Sequence, residues 1–387
     1  VTQSHVQAIS AWLQEQMPTY LDELRQLCAI ECPTSHKPGV DKAGAWVQQW
    51  AARRGWTTQV HPDERVGDSL VVSISGTGAR RAMLVAHLDT VYPLGTATAR
   101  PMQITDDTLR GPGSADNKSG LLSGLYAMAV LEELGLLPFA TLSLVCGGDE
   151  ETDARASGAL LRQLAPDYDI ALVLEAGREN GDIVSARKGN GMFTLDVQGR
   201  AAHAGVEPEK GANAILALAH QIIALHTLNG SRPGLTINVG VIEGGSVPNA
   251  VPASARAAID VRISRATDAE PVEAAIRAIA LATRIPGTNA TVGGDGWRYP
   301  PMDRTPGIAN LVTIAQSCAH ELGFSINDAA TGGVSYANIL AGAGLPVLDG
   351  LGPVGGLDHS PREYISLSSI VPRTALLALL LLRWAAA

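Results

Sequence analysis

The sequence predicts an α/β protein interrupted by a smaller α+β unit. Over residues 57–188, short apolar runs rich in β-branched residues alternate with helical periodicities, the pattern of a sheet layered with helices. From 189 to 296 the order becomes strand, helix, strand, strand, helix, strand, which closes into a small sandwich of its own. Residues 297–387 then return to helix and apolar strand, so the middle segment reads as an insertion that divides one domain into 1–188 and 297–387.

The elements follow in order. Residues 6–31 carry an amphipathic helix that stops near Cys32-Pro33-Thr34, and a second helix runs from Val40 to Arg54 before Gly55. Thr57 to His61 and Ser69 to Ser75 read as strands, and Arg81 to His87 as a central strand. A glycine-rich loop, RGPGSADNKSG, leads into a helix from Ser119 to Leu134. TLSLVCGGDEE is a strand ending in acids, Ala156 to Leu164 a helix, and DIALVLEAG another strand ending in an acid. Inside the insertion, strands are expected at Met192 to Val197, Thr236 to Ile242 and Ala255 to Ile263. Helices are expected at Asn213 to Leu225 and Glu270 to Ala282. LPVLDG is a further core strand, and Ala375 to Leu382, stopped by Arg383, a buried terminal helix rather than a membrane span.

Composition narrows the function. The 387 residues are 46% hydrophobic and 17% charged, enough for a substantial core and far from a disordered chain. The net charge of -9, with no basic stripe, argues against nucleic acid as a partner. Four cysteines are no disulfide framework, and Cys28 and Cys32 are expected to pack rather than bind metal. No signal-peptide pattern is visible at the start, so a cytoplasmic location is expected, with the periplasm after signal removal as the alternative.

The chemistry sits at strand ends. His87, the Glu150-Glu151 pair and Glu175 each close an expected strand, Asp116 lies in the glycine-rich turn before a helix, and His359 follows the strand at 345–349. Open α/β sheets gather their ligands at the carboxyl ends of the strands, so these groups should converge on one crevice. Imidazoles and carboxylates together are what zinc takes as ligands.

Six blocks carry a resemblance: AHLDTVYPLGT, RGPGSADNKSGLLSGL, GGDEETDARASG, LEAG, GRAAHAGVEPEKGANAI and DHSPREYI. In this order, over nearly the whole chain, they resemble the co-catalytic zinc metallopeptidases: glutamate carboxypeptidase, acetylornithine deacetylase, succinyl-diaminopimelate desuccinylase, aminoacylase and dipeptidases. The glutamate carboxypeptidase branch is the most similar. The resemblance implies a mixed-sheet catalytic domain with helices on both faces, and a ferredoxin-like lid through which two copies form a homodimer.

It also implies roles. One of two Zn2+ ions, replaceable by Co2+ or Mn2+, would take His87, Asp116 and Glu175; the other would take Asp116, Glu151 and His359. Asp116 would bridge them, and Asp89 would orient the His87 ring through its other nitrogen. A hydroxide bridging the two ions would attack an amide carbonyl, with Glu150 as general base passing the proton to the leaving nitrogen. His203 of the lid would stabilise the oxyanion, and Asn249 and Arg262 would grip a substrate carboxylate. The expected substrate is a small peptide, or an N-acyl amino acid, with a free C-terminal carboxylate.

One run departs from the branch. Where glutamate carboxypeptidases show Gly-Gly-Gly-Thr-Asp, this chain has Gly332-Gly333-Val334-Ser335-Tyr336. Gly333 is a candidate substrate contact, and Tyr336 is expected where the substrate side chain lies. A deacylase of the same family, and a catalytically silent binding relative, are the competing readings; the second predicts a broken ligand or base, and none is broken. SGTGARR precedes a strand rather than following one, which speaks against a nucleotide loop. No G-x-S-x-G elbow supports a serine hydrolase.

Overall fold

A computed structural model describes residues 2–386. The chain forms two compact units. Among the described residues, the first comprises 2–185, 304–330 and 335–386, and the second 186–303 with 331–334. The expected divisions at 188/189 and 296/297 compare with 185/186 and 303/304 here. The short return of 331–334 to the second unit has no counterpart in the sequence reading.

The first unit is built on a six-stranded mixed sheet. Its spatial order is Thr57–His61, Ser69–Ser75, Phe139–Gly147, Arg80–His87, Ile170–Val173, Val347–Leu348. Ser69–Ser75 runs antiparallel to both of its neighbours, Thr57–His61 and Phe139–Gly147; Phe139–Gly147, Arg80–His87, Ile170–Val173 and Val347–Leu348 are mutually parallel. Parallel strands need crossovers, and the helices Ser119–Glu133 and Arg155–Leu164 supply them. Ala82 to His87 are buried without alternation, as expected of a strand covered on both faces.

Helix Ser119–Glu133 seats closely on the sheet because Gly120 has no side chain: a Cβ there would fall on the carbonyl oxygen of Leu174. Leu367–Ala386 is long and apolar enough to cross a membrane by length and composition, yet 72% of its apolar window is buried against the helices Gln3–Cys28, Ser119–Glu133 and Pro306–Glu321. It is a core helix. Its Arg373, 2% exposed, donates to the carbonyls of Gly352 (3.0 Å), Gly181 (2.9 Å) and Gly350. A buried guanidinium is tolerable only when its donors are so occupied, and these bonds hold the loops on either side of the sheet's carboxyl edge. All four cysteines are buried and free.

The second unit is a four-stranded antiparallel sheet in the order Thr236–Gly244, Ser254–Ile263, Gly189–Gln198, Asn289–Tyr299. Helices Ala214–His226 and Ala269–Leu281 pack against it. Connected as strand–helix–strand–strand–helix–strand, this is the ferredoxin-like arrangement. Phe193, Leu195 and Val197 alternate inward with Ala255, Ala257, Ile259 and Val261 to make its core. The edge strand Thr236–Gly244 leaves Val241 and Ile242 exposed, and the helix beside it leaves Ile223 exposed.

Candidate metal centre

Three parallel neighbours end side by side: Arg80–His87 between Phe139–Gly147 and Ile170–Val173. His87 is the last residue of the central strand, Glu150 and Glu151 follow one neighbour in a short 3-10 turn, and Glu175 follows the other. Asp116 enters from the turn Ser114–Lys118, and His359 from the loop before the strand Tyr364–Ser366.

These groups meet. His87 Nε2 lies 2.7 Å from Asp116 Oδ1 and 3.9 Å from Glu175 Oε1. His359 Nε2 lies 3.1 Å from Asp116 Oδ2 and 3.2 Å from Glu151 Oε2. Each oxygen of one carboxylate therefore faces a different imidazole, and each imidazole faces one further glutamate. The 3-10 turn ends in two left-handed residues, Asp153 and Ala154, and His359 itself has a φ of 60°. Non-glycine residues are held there only by their surroundings, and such strain gathers at functional sites.

Asp89 organises the floor. It is fully buried, accepts from Thr34 Oγ1 at 2.6 Å, and takes the backbone N–H groups of Glu150 and Glu151 at 3.2 Å each. It thus fixes the backbone of the turn that carries the two glutamates. His87 Nδ1 lies 3.0 Å from the Asp89 carbonyl oxygen and 3.3 Å from its Oδ1. A carbonyl only accepts, so Nδ1 carries a proton and Nε2 is the nitrogen turned toward Asp116.

Burial opposes a charge on the His87 ring, but its bonds to Asp116 and Asp89 outweigh that and raise it well above the usual imidazole range, so Nε2 binds a proton where a metal ion would otherwise sit. The cluster holds four carboxylates, Asp116, Glu150, Glu151 and Glu175, against two imidazoles. Burial pushes the Glu150 carboxyl up to about 8 and raises Glu151 and Glu175. His359 is lifted to about 11, first by its bond to Asp116 and then by Glu151. Glu151 Oε1 and Glu175 Oε1 are buried without a hydrogen-bond partner. Ligand atoms of His87, Asp116 and Glu151 lie within 4.8 Å of one another, close enough for one ion. Orphaned carboxylate oxygens, two imidazole nitrogens turned toward one carboxylate and a surplus of buried acids fit a divalent cation. A cleft of about 460 Å³ opens beside the cluster, lined by Ala176 to Asn180 and Gly355 to Asp358.

The other candidates lie in the second unit, where the structure forms two separate groupings. His203 bridges to Ala250, and the Ala204 N–H donates to the Asn249 carbonyl at 3.0 Å, so His203 and Asn249 are neighbours. Arg262 is engaged twice by Asp260, at 2.9 and 3.0 Å, with Nη1 3.5 Å from the Gly332 carbonyl. The Gly333 carbonyl accepts from Arg187 at 3.1 Å.

Tyr336 is not where a substrate side chain could reach. It is fully buried in the first unit, its hydroxyl donating to Ser157 Oγ at 2.8 Å, and the absence of a side chain at Gly147 makes room for that hydroxyl. Ser157 in turn donates to Asp149, the residue before Glu150. The aromatic ring replaces a small acid in a core position behind the Glu150 turn, where the run of residues alone suggested a pocket wall. The sequence reading also passed over Thr34 and Glu363; the one available signal for Glu363 was its place four residues after His359 in DHSPREYI.

Residues 185–287 match the M20 peptidase dimerisation domain. Carboxypeptidase G2 of Pseudomonas sp. (strain RS-16) is 28% identical over 373 residues, covering 95% of this chain and 90% of that protein. Acetylornithine deacetylase of Erwinia tasmaniensis is 26% identical over 273 residues, 65% of this chain and 69% of that one. The aminopeptidase PepT of Bacillus cereus shares the fold with a TM-score of 0.80 at 22% identity, over 96% of this chain and 99% of its own. An M20 family metallo-carboxypeptidase of Sulfolobus solfataricus shares it at 0.73 and 14%, over 95% and 99%. The match to the dimerisation domain and the relatives that span most of the chain support a place in the M20 metallopeptidase family, hydrolases of carbon–nitrogen bonds.

Proposed function

We propose that this chain is a two-zinc hydrolase that cleaves the amide bond of a small peptide or N-acyl amino acid bearing a free C-terminal carboxylate, in the manner of a carboxypeptidase or dipeptidase. One observation carries the reading: the two oxygens of Asp116 each face a different imidazole, 2.7 Å from His87 and 3.1 Å from His359. That is the arrangement of a carboxylate shared between two ions. His87 and Glu175 would complete one ligand set, His359 and Glu151 the other. Zinc suits these nitrogen and oxygen donors, and cobalt or manganese would substitute.

Two such cations would polarise the scissile carbonyl and acidify a water held between them. Glu150, on the same turn as the ligand Glu151, would take that water's proton and pass it to the departing nitrogen. Asp89 holds the His87 tautomer and the Glu150 backbone together, which keeps base and ligand in register. His203 would donate to the developing oxyanion, and Asn249, Arg262 and Gly333 would bind the substrate carboxylate end. For Arg262 this requires sharing the guanidinium with Asp260. The second unit would join two copies through its exposed apolar edge at Val241 and Ile242.

Similarity to acetylornithine deacetylase supports the second reading, an N-acyl-amino-acid deacylase. A panel of dipeptides against N-acetyl amino acids, assayed with the zinc-loaded chain, separates the two. Hydrolysis of neither class overturns both.

A further inference from the structure

We propose that Glu363, which touches none of the reacting groups, is a positioning residue for the metal centre: its carboxylate clamps the turn that carries Asp116 to the loop that carries His359. This rests on reading Asp116 as the shared ligand.

The turn 113–116 directs three backbone N–H groups at one side chain. Gly113 donates to Glu363 Oε2 at 2.9 Å, and Ala115 and Asp116 donate to Oε1 at 2.8 and 3.0 Å. Converging amides of this kind form an anion nest, and Glu363 supplies its anion from within the chain. The residue is 2% exposed, so these bonds are what make a carboxylate tolerable there. Both oxygens are used, which fixes the orientation of the group as well as its place.

The clamp joins the ligand loops. Glu363 lies four residues after His359 and directly before the strand Tyr364–Ser366, which pairs with Thr108–Arg110 leading into the turn. Tyr92, five residues after His87, donates its hydroxyl to the Ser360 carbonyl at 3.0 Å, beside the same carboxylate. The loop itself is a poor anchor for His359, because Leu357 and His359 both sit at positive φ, 58° and 60°. The spacing between Asp116 and His359 is therefore set from outside the loop, and Glu363 is the side chain that bonds to the Asp116 backbone while sharing a short segment with His359.

The test uses Glu363→Gln, Glu363→Ala and the wild-type chain. Zinc affinity is measured by competition with a chromogenic chelator, and amide hydrogen exchange is followed over residues 111–118 in metal-free protein. Wild type is expected to show protected amides there. Glu363→Gln puts an amide NH2 against one of the donors, so exchange should quicken at least tenfold and zinc affinity should fall about 10–100-fold. Its kcat should drop more than its KM rises, with partial recovery at excess zinc. A merely structural residue would lower the melting temperature and leave zinc affinity unchanged, and that outcome overturns the proposal. So do unprotected amides in the wild-type chain, a readout that survives even if Glu363→Ala fails to fold. A wild-type chain with protected amides but no zinc uptake would instead sink the metal-centre reading beneath it.

Discussion

Asp116 Oδ2 stands 3.1 Å from His359 Nε2 across 243 positions of sequence, while its other oxygen stands 2.7 Å from His87. No local element brings these residues together. The contact exists because a turn before one helix and a loop before a late strand are both fastened to the carboxyl edge of a parallel sheet. The consequences of that meeting can be measured.

If Asp116 is shared between two ions, Asp116→Ala should cost both ligand sets at once. Elemental analysis of the purified wild-type chain is expected to give close to two metals per chain, and of the variant fewer than one. A variant that keeps both ions would show that the pairing with two imidazoles is an internal ion-pair network instead.

Glu150→Gln should lower kcat by two to four orders of magnitude, the range of a general acid–base group, with metal content unchanged. The backbone of residue 150 is held by Asp89 and not by its own side chain, so the turn should survive. Near-normal turnover would remove Glu150 from the proton-transfer role.

His203→Ala is expected to reduce kcat by about 10²–10³, as loss of an oxyanion donor does, with a smaller change in KM. A change confined to KM would make His203 a binding residue only.

The metal-free protein should lose stability as pH rises. A group whose pKa is higher folded than unfolded binds more protons in the folded state between the two values, so its contribution is complete below the lower value and lost through the higher one. For Glu150 that window runs from 4.5 to about 8, and for His359 from 6.5 to about 11. Both slopes have the same sign. Zinc competes with protons for these groups, so the rise in melting temperature on adding zinc should grow between pH 5 and pH 8. A zinc effect that shrinks over that range would contradict the cluster's electrostatics.

Tyr336→Phe should cost about 1–2 kcal/mol, the loss of one buried hydrogen bond to Ser157, read as a shift in denaturant midpoint. Ratios of kcat/KM between substrates with different C-terminal side chains should not move. A changed ratio would return Tyr336 to the substrate pocket.

The sequence by itself determined the element order, the ferredoxin-like insertion and the residues that gather at the sheet edge. These depend on local periodicity, turn chemistry and the rule that parallel strands present their carboxyl ends to one crevice. Tertiary structure alone decided which oxygen of Asp116 faces which imidazole, that Tyr336 lies in the core behind Ser157, and that Glu363 binds three amides of a turn about 250 residues away. Burial and long-range hydrogen bonding have no period along a chain. They follow from how the packed layers close on one another, so a motif can announce a residue's chemistry while its neighbours stay hidden until the chain folds.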